Sequence, residues 1–280
     1  MTRLALQVSS KIVEMVKQDK LVLPTLPEIA LRVRDVAEDP NSSVKDIANI
    51  ISRDPALTAR IIKVTNSPMI RSSKPINDIF AAVTRLGVAY TSNIAIGLAM
   101  EQMFQATSDV IDSRLRRTWA QALQVGASAE VLARHFTNIA PEKAMLAGIV
   151  HQIGVLPILA FAENNDELLS DSESLDIIIR RLHPSIGTFI LRRWGFDPDI
   201  IAVPKQHLML DREGITEPDL ADLVQVAMLQ SHVGSNHRFA QIDQNKLGSF
   251  QRLGLVVDEE ISVWDDLSEE IEATGQAFKP

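Results

Sequence analysis

The chain has 280 residues, 46% hydrophobic and 23% charged, with a formal net charge of −8 and no cysteine. Such a composition suits one large folded domain or two modest ones. The missing cysteines exclude disulfides, iron–sulfur clusters, Cys-ligated zinc and thiolate nucleophiles, so any metal would have to sit on His, Asp or Glu.

The charge is unevenly spread. Residues 258–280 hold eight acids and one base, Lys279; without them 28 acids face 27 bases, and the body is near neutral. Nucleic-acid binding usually needs a basic surface that releases counterions, and neither part supplies one, so no nucleic-acid partner is expected. No 18-residue apolar run free of polar residues occurs, and Met1 to Val16 carry Gln7, Lys11 and Glu14 where a signal peptide needs an unbroken apolar stretch. The expectation is a cytoplasmic protein without a membrane partner.

Taken in chain order, the sequence reads as helix after helix. Ser43 with Asp46 fits a capping box, and Val44, Ile47, Ala48 and Ile51 follow at the spacing of one buried helical face. Asp54-Pro55 places an acid at the cap and a proline at the first helical position, and Asp197-Pro198 and Glu217-Pro218 share that grammar. Only 12 glycines occur, with no Asn-Gly, Asp-Gly or Gly-Gly hairpin signal and no sustained apolar/polar alternation. The fold class expected is all-α, a multi-helical bundle.

A polar interval, Gln105 to Asp112, precedes a second helical block that begins near Arg114 and is anchored by Trp119, Leu123 and Val131. Arg114, Arg116 and Arg117 are the densest basic cluster and read as a solvated helix face. Glu163 to Ser174 suits an exposed loop or a short helix. In the acidic tail, Ile261, Trp264, Leu267 and Ile271 fall on one side of a potential helix, which either packs on its own domain or docks a partner. The division expected is an N-terminal helical block over 1–105, a second block over 106–235 and a C-terminal extension over 236–280.

Five segments, in order, resemble the HDOD domain: Leu23 to Pro27, Ile50 to Thr58, Ile61 to Ser67, Pro75-Ile76 and Val83 to Gly87. The similarity extends from about residue 20 to about residue 235. The resemblance implies a helical bundle of the HD type, with residues 106–235 as a degenerate HD-like block, in a bacterial signalling protein.

It also implies where a metal site would have been. HD-type phosphohydrolases hold divalent metal with histidines, an adjacent His-Asp pair and a later aspartate. Anionic carboxylates balance the cation, which lowers the pKa of bound water. By similarity the pair falls on His151-Gln152 after the run Met145 to Val150, with a neutral amide in place of the carboxylate. The early histidine position is Gln121. His183 is kept; Gln206 and His207 occupy a paired-His position, and Met228 stands for the final aspartate.

His151, beside an apolar run, also reads as a core histidine; His135, His232 and His237 match nothing in the pattern and read as surface or structural. No catalytic residue, functional metal or cofactor is assigned, although His151 and His183 suit an adventitious zinc or nickel ion. No phosphate loop, Gly-x-Ser-x-Gly elbow or His-Glu-x-x-His pair occurs. The function expected is a non-enzymatic signalling or regulatory module with a signalling protein as partner. Two alternatives stand beside it: a divergent metal-dependent phosphohydrolase acting on a nucleotide or phosphodiester, and a module that binds a nucleotide or small anion in the vestigial pocket.

Overall fold

The structure, a computed structural model, describes residues 2–68, 70, 74–255 and 263–279, and the side chains of all of these except 263–266. The first third of the chain forms α1 (Arg3–Lys17), α2 (Glu28–Glu38), α3 (Val44–Ile51), α4 (Pro55–Thr65), α5 (Ile79–Leu86) and α6 (Val88–Ala99). The long α7 (Asp109–Phe136) follows, then α8 (Pro141–Val150), α9 (Val155–Glu163), the short α10 (Asp166–Ser170) and α11 (Ser172–Arg193). The chain closes with α12 (Pro198–Gln206), α13 (Leu220–Gln230), α14 (Gly248–Arg252) and α15 (Val263–Phe278). Among the described residues there is no strand.

Local chemistry sets several of these starts. The Ser43 backbone N–H donates to Asp46 Oδ2 at 2.9 Å, and Ile47, Ala48 and Ile51 turn inward from α3. At α4 the Asp54 carboxylate accepts from Leu57 N at 2.9 Å, ahead of a proline whose missing N–H costs nothing in the first turn. Pro198 opens α12 likewise, but the Asp197 carboxylate goes to Lys143 Nζ at 2.8 Å instead of capping. Glu217-Pro218 does not start a helix. Asp219 caps α13 instead, with Asp222 completing the capping box, because two acids three residues apart satisfy both free N–H groups.

The buried apolar side chains form one cluster reaching from Ala5 to Phe278. At its centre α7 lies along α8, α13 covers both, and α6 bridges α8 to α2. α11 packs on α12, α9 and α1, while α15 returns onto α7 and α4. The α7–α8 approach is close because Gly126 faces Gly148: a Cβ on Gly148 would stand 2.6 Å from Gly126 N. The stretch 141–163 is long and apolar enough by composition to cross a membrane, but 83% of its most apolar window is buried in the bundle.

The tail helix packs on its own body. Leu267 and Phe278 of α15 are buried and Ile271 is half-buried, while Ile261 and the Trp264 side chain lie outside the described residues. Arg60 Nη2 donates to Phe278 O at 2.6 Å, and Glu270 accepts from Arg134 Nη1 at 3.0 Å and pairs with His135 Nε2 at 2.7 Å. The interval Glu163 to Ser174 contains the short helix α10.

Candidate functional site

Three histidines from three helices meet in the interior. His151 sits at the C-terminal end of α8, His207 at that of α12 and His183 inside α11. The rings of His151 and His207 lie with centroids 5.0 Å apart and nearly perpendicular; those of His183 and His207 are 6.1 Å apart. His151 Nδ1 donates to Gly148 O at 2.5 Å and His207 Nδ1 to Val203 O at 2.8 Å, so in the neutral form of each ring Nε2 carries the lone pair.

All three rings are held neutral at pH 7. Burial is the first cause for each. It takes His183 down to about 3, helped by the neighbouring His207, and His207 down to about 4 against its carbonyl partners. His151 lies well below its ordinary value for the same reasons. Two buried ring nitrogens, His151 Nε2 and His183 Nδ1, have no hydrogen-bond partner among the described residues.

A cavity of about 650 Å³ opens over this cluster. Gln121, Gln152, His183, His207 and Met228 all line it, so five of the seven positions marked in the sequence share one wall. His151 lies behind them, fully buried against His207. Gln206 is not brought to the cavity: it is half-buried on α12, and the roughly 100° helical step between adjacent residues turns it away from the side that His207 faces.

The donor set does not fit a hydrolytic divalent cation. Asp176 is the one carboxylate on the described lining, and Arg114 Nη1 holds it at 2.6 Å. The fully buried Asp222 of α13 faces away into a cationic clamp, accepting from Arg252 Nε at 2.7 Å and Nη2 at 2.6 Å and from Arg212 Nη1 at 3.0 Å. Among the described residues, no group of three or more His, Asp or Glu side chains is placed to hold a metal ion. Without carboxylates a divalent charge on this wall would go uncompensated.

Residues that sequence reasoning passed over complete the site. Gln225 of α13 donates from Nε2 to His207 O and to Met209 O, each at 2.9 Å, and accepts from Ser249 Oγ at 2.7 Å, which fixes the end of α12 under the cavity. His232 and His237, read as surface or structural, line the cavity and stack on each other at 4.0 Å; Phe239 meets His237 edge-on at 4.8 Å. His232 Nε2 lies 3.4 Å from Gln121 Nε2. Arg114 and Arg117 line the cavity as well as facing solvent. The one local signal was the i, i+4 spacing of Arg117 and Gln121 on α7.

Residues 23–209 match the HDOD domain, most of the chain's length. The chain belongs to the HDOD domain family. Across the whole HDOD fold, a Shewanella amazonensis SB2B crystal structure, provisionally described as a metal-dependent phosphohydrolase, is 29% identical with a TM-score of 0.85, covering 99% of this chain and 100% of that one. An HDOD domain protein of unknown function from Geobacter sulfurreducens is 20% identical with a TM-score of 0.70, covering 98% of each chain. An uncharacterized protein of Treponema pallidum (strain Nichols) is 26% identical over 195 residues, which are 66% of this chain and 37% of that protein. The chain thus spans well under half the length of that relative.

Proposed function

We propose that this HDOD chain is a non-hydrolytic regulatory module that acts through a signalling protein partner, in the cytoplasm and apart from nucleic acid and membrane. The observation that carries the reading is the cavity wall. Neutral His183 and His207 stand there with Gln121, Gln152 and Met228, and the one lining carboxylate among the described residues is already paired with Arg114. A water nucleophile near neutral pH needs a cation to lower its pKa, and this wall offers that cation no anionic ligand.

The second reading is a divergent metal-dependent phosphohydrolase. It is favoured by the convergence of His151, His183 and His207 and by the description of the Shewanella amazonensis structure. Elemental analysis of protein purified without a histidine tag, paired with a phosphodiesterase assay on bis-p-nitrophenyl phosphate, separates the two. The regulatory reading expects substoichiometric metal and no turnover above background. Stoichiometric iron, manganese or magnesium with turnover abolished by His151→Ala overturns it.

A further inference from the structure

The cavity over the histidines carries the opposite charge to the chain around it. The protein has a net charge of −8, yet Arg114, Arg117, Arg180 and Arg238 all line this one opening, against the single carboxylate of Asp176 among the described residues. They come from three places: α7 supplies Arg114 and Arg117, α11 supplies Arg180, and the segment after α13 supplies Arg238. Arg114 is neutralised by Asp176. Arg117, Arg180 and Arg238 have no carboxylate partner among the described residues. The fields of Arg180 and Arg238 overlap, since burial and then the charges of Arg238 and Arg180 hold His237 below its ordinary value. Three uncompensated guanidiniums around one mouth form a receptor for a phosphate group, because their planar donor forks match its oxygens.

The remaining wall sets what the phosphate is attached to. His232 and His237 are stacked 18° from parallel, Phe239 stands edge-on to His237 with the Arg238 guanidinium over its ring at 4.7 Å, and the two imidazoles supply flat ring surface on this wall. Flat aromatic surface of this kind stacks planar bases. Deeper in, the carboxamides of Gln121 and Gln152 each donate and accept, which suits the polar edge of a base or sugar hydroxyls. A volume of about 650 Å³ is in the range of sites for small organic ligands.

We propose that this cavity binds a free mononucleotide, its phosphate held by Arg117, Arg180 and Arg238 and its base against His232, His237 and Phe239. The proposal rests on the non-hydrolytic reading of the same site. Where a metal site would place positive charge on the floor, this chain places it on the rim, over neutral imidazoles and amides that do not repel an anion.

Calorimetric titration of the full-length, tag-free chain tests it, with the four 5′-ribonucleoside monophosphates, adenosine and ribose 5-phosphate as probes at low salt. At least one nucleotide is expected to bind one per chain, about tenfold or more tighter than adenosine or ribose 5-phosphate alone, with affinity falling as salt rises. Arg117→Gln combined with Arg180→Gln is expected to weaken it by about tenfold or more, and Arg32→Gln, on the distant α2, to leave it unchanged. Arg117 and Arg180 are exposed, and thermal unfolding checks that the double variant folds. Absence of binding by all four nucleotides at millimolar concentration overturns the proposal, as does affinity indifferent to the double variant, or a single-stranded oligonucleotide bound more tightly than any mononucleotide. Chromatography of the titrated nucleotide keeps the two readings apart: binding with the nucleotide intact supports both, whereas conversion to product overturns only the non-hydrolytic one.

Discussion

The imidazoles of His151 and His207 stand 5.0 Å apart at 85°, each with Nδ1 tied to the backbone carbonyl of its own helix end. Neither ring has room to become charged. With His183 at about 3 and His207 at about 4, the folded chain stays unprotonated at these sites at a pH where unfolded histidine, near 6.5, has taken up its proton. Depressed values of this kind make stability complete above about pH 6.5 and erode it as the pH falls towards 4. The slope is up to ~1.4 kcal/mol per pH unit for each histidine. Urea midpoints at pH 7.5 and pH 5 check this, and His207→Gln should flatten the loss; a midpoint that is unchanged or rises on acidification contradicts it.

Removing the charge of Asp222 should be among the costliest single changes. Asp222→Asn leaves Arg252 and the almost wholly buried Arg212 facing a neutral amide, with Arg212 still held by Asp219. A buried pair that loses one partner typically costs about 3–5 kcal/mol. Urea denaturation of the variant should show a loss of that order, where an exposed change such as Glu28→Gln on α2 stays within about 0.5 kcal/mol.

The floor of the cavity depends on a glycine. A Cβ on Gly154 would overlap the carbonyl oxygen of His183 and stand 2.5 Å from Gly187 N, both backbone atoms of α11 that cannot swing aside. Gly154→Ala is expected to cost about 2–3 kcal/mol and to shift the NMR signals of His183. Gly275→Ala on α15 is the contrast: its Cβ would rest 3.9 Å from Ala127 Cβ, an ordinary contact. That variant should be neutral or stabilised by up to ~1 kcal/mol through helix propensity alone.

Chelation should leave the fold untouched. The non-hydrolytic reading assigns stability to the apolar cluster and the buried polar network, and a metal that binds only the folded state would raise the melting temperature. Thermal unfolding after dialysis against EDTA is expected to match the untreated protein within about 2 °C, and a larger fall contradicts the reading.

What the residues show by themselves is chemistry that acts over a few positions. Asp54 caps the helix begun by Pro55 because the N–H of Leu57, which donates to its carboxylate, is three residues away. Ser43 and Asp46 behave likewise. Glu217-Pro218 misled for the same kind of reason, since a stronger capping pair, Asp219 and Asp222, lay just beyond it. Within the site, His151 and Gln152 were visible as neighbours in sequence, and His183, His207, Gln121 and Met228 through resemblance. Gln206 was grouped with its neighbour His207, a pairing that ignores how far one helical step rotates a side chain.

The sequence alone therefore determined the all-α class and the starts of α3, α4 and α12, because periodicity and capping are local properties. The rest was decided only by tertiary structure. Arg117, Arg180 and Arg238 lie on separate elements, and His232, with His237 stacked on it, reaches Gln121 from across the chain. No pattern in the residues marks them as one cavity. Their convergence follows from how α7, α11 and α13 bury their apolar faces together, and a shared core brings side chains into contact regardless of their separation along the chain.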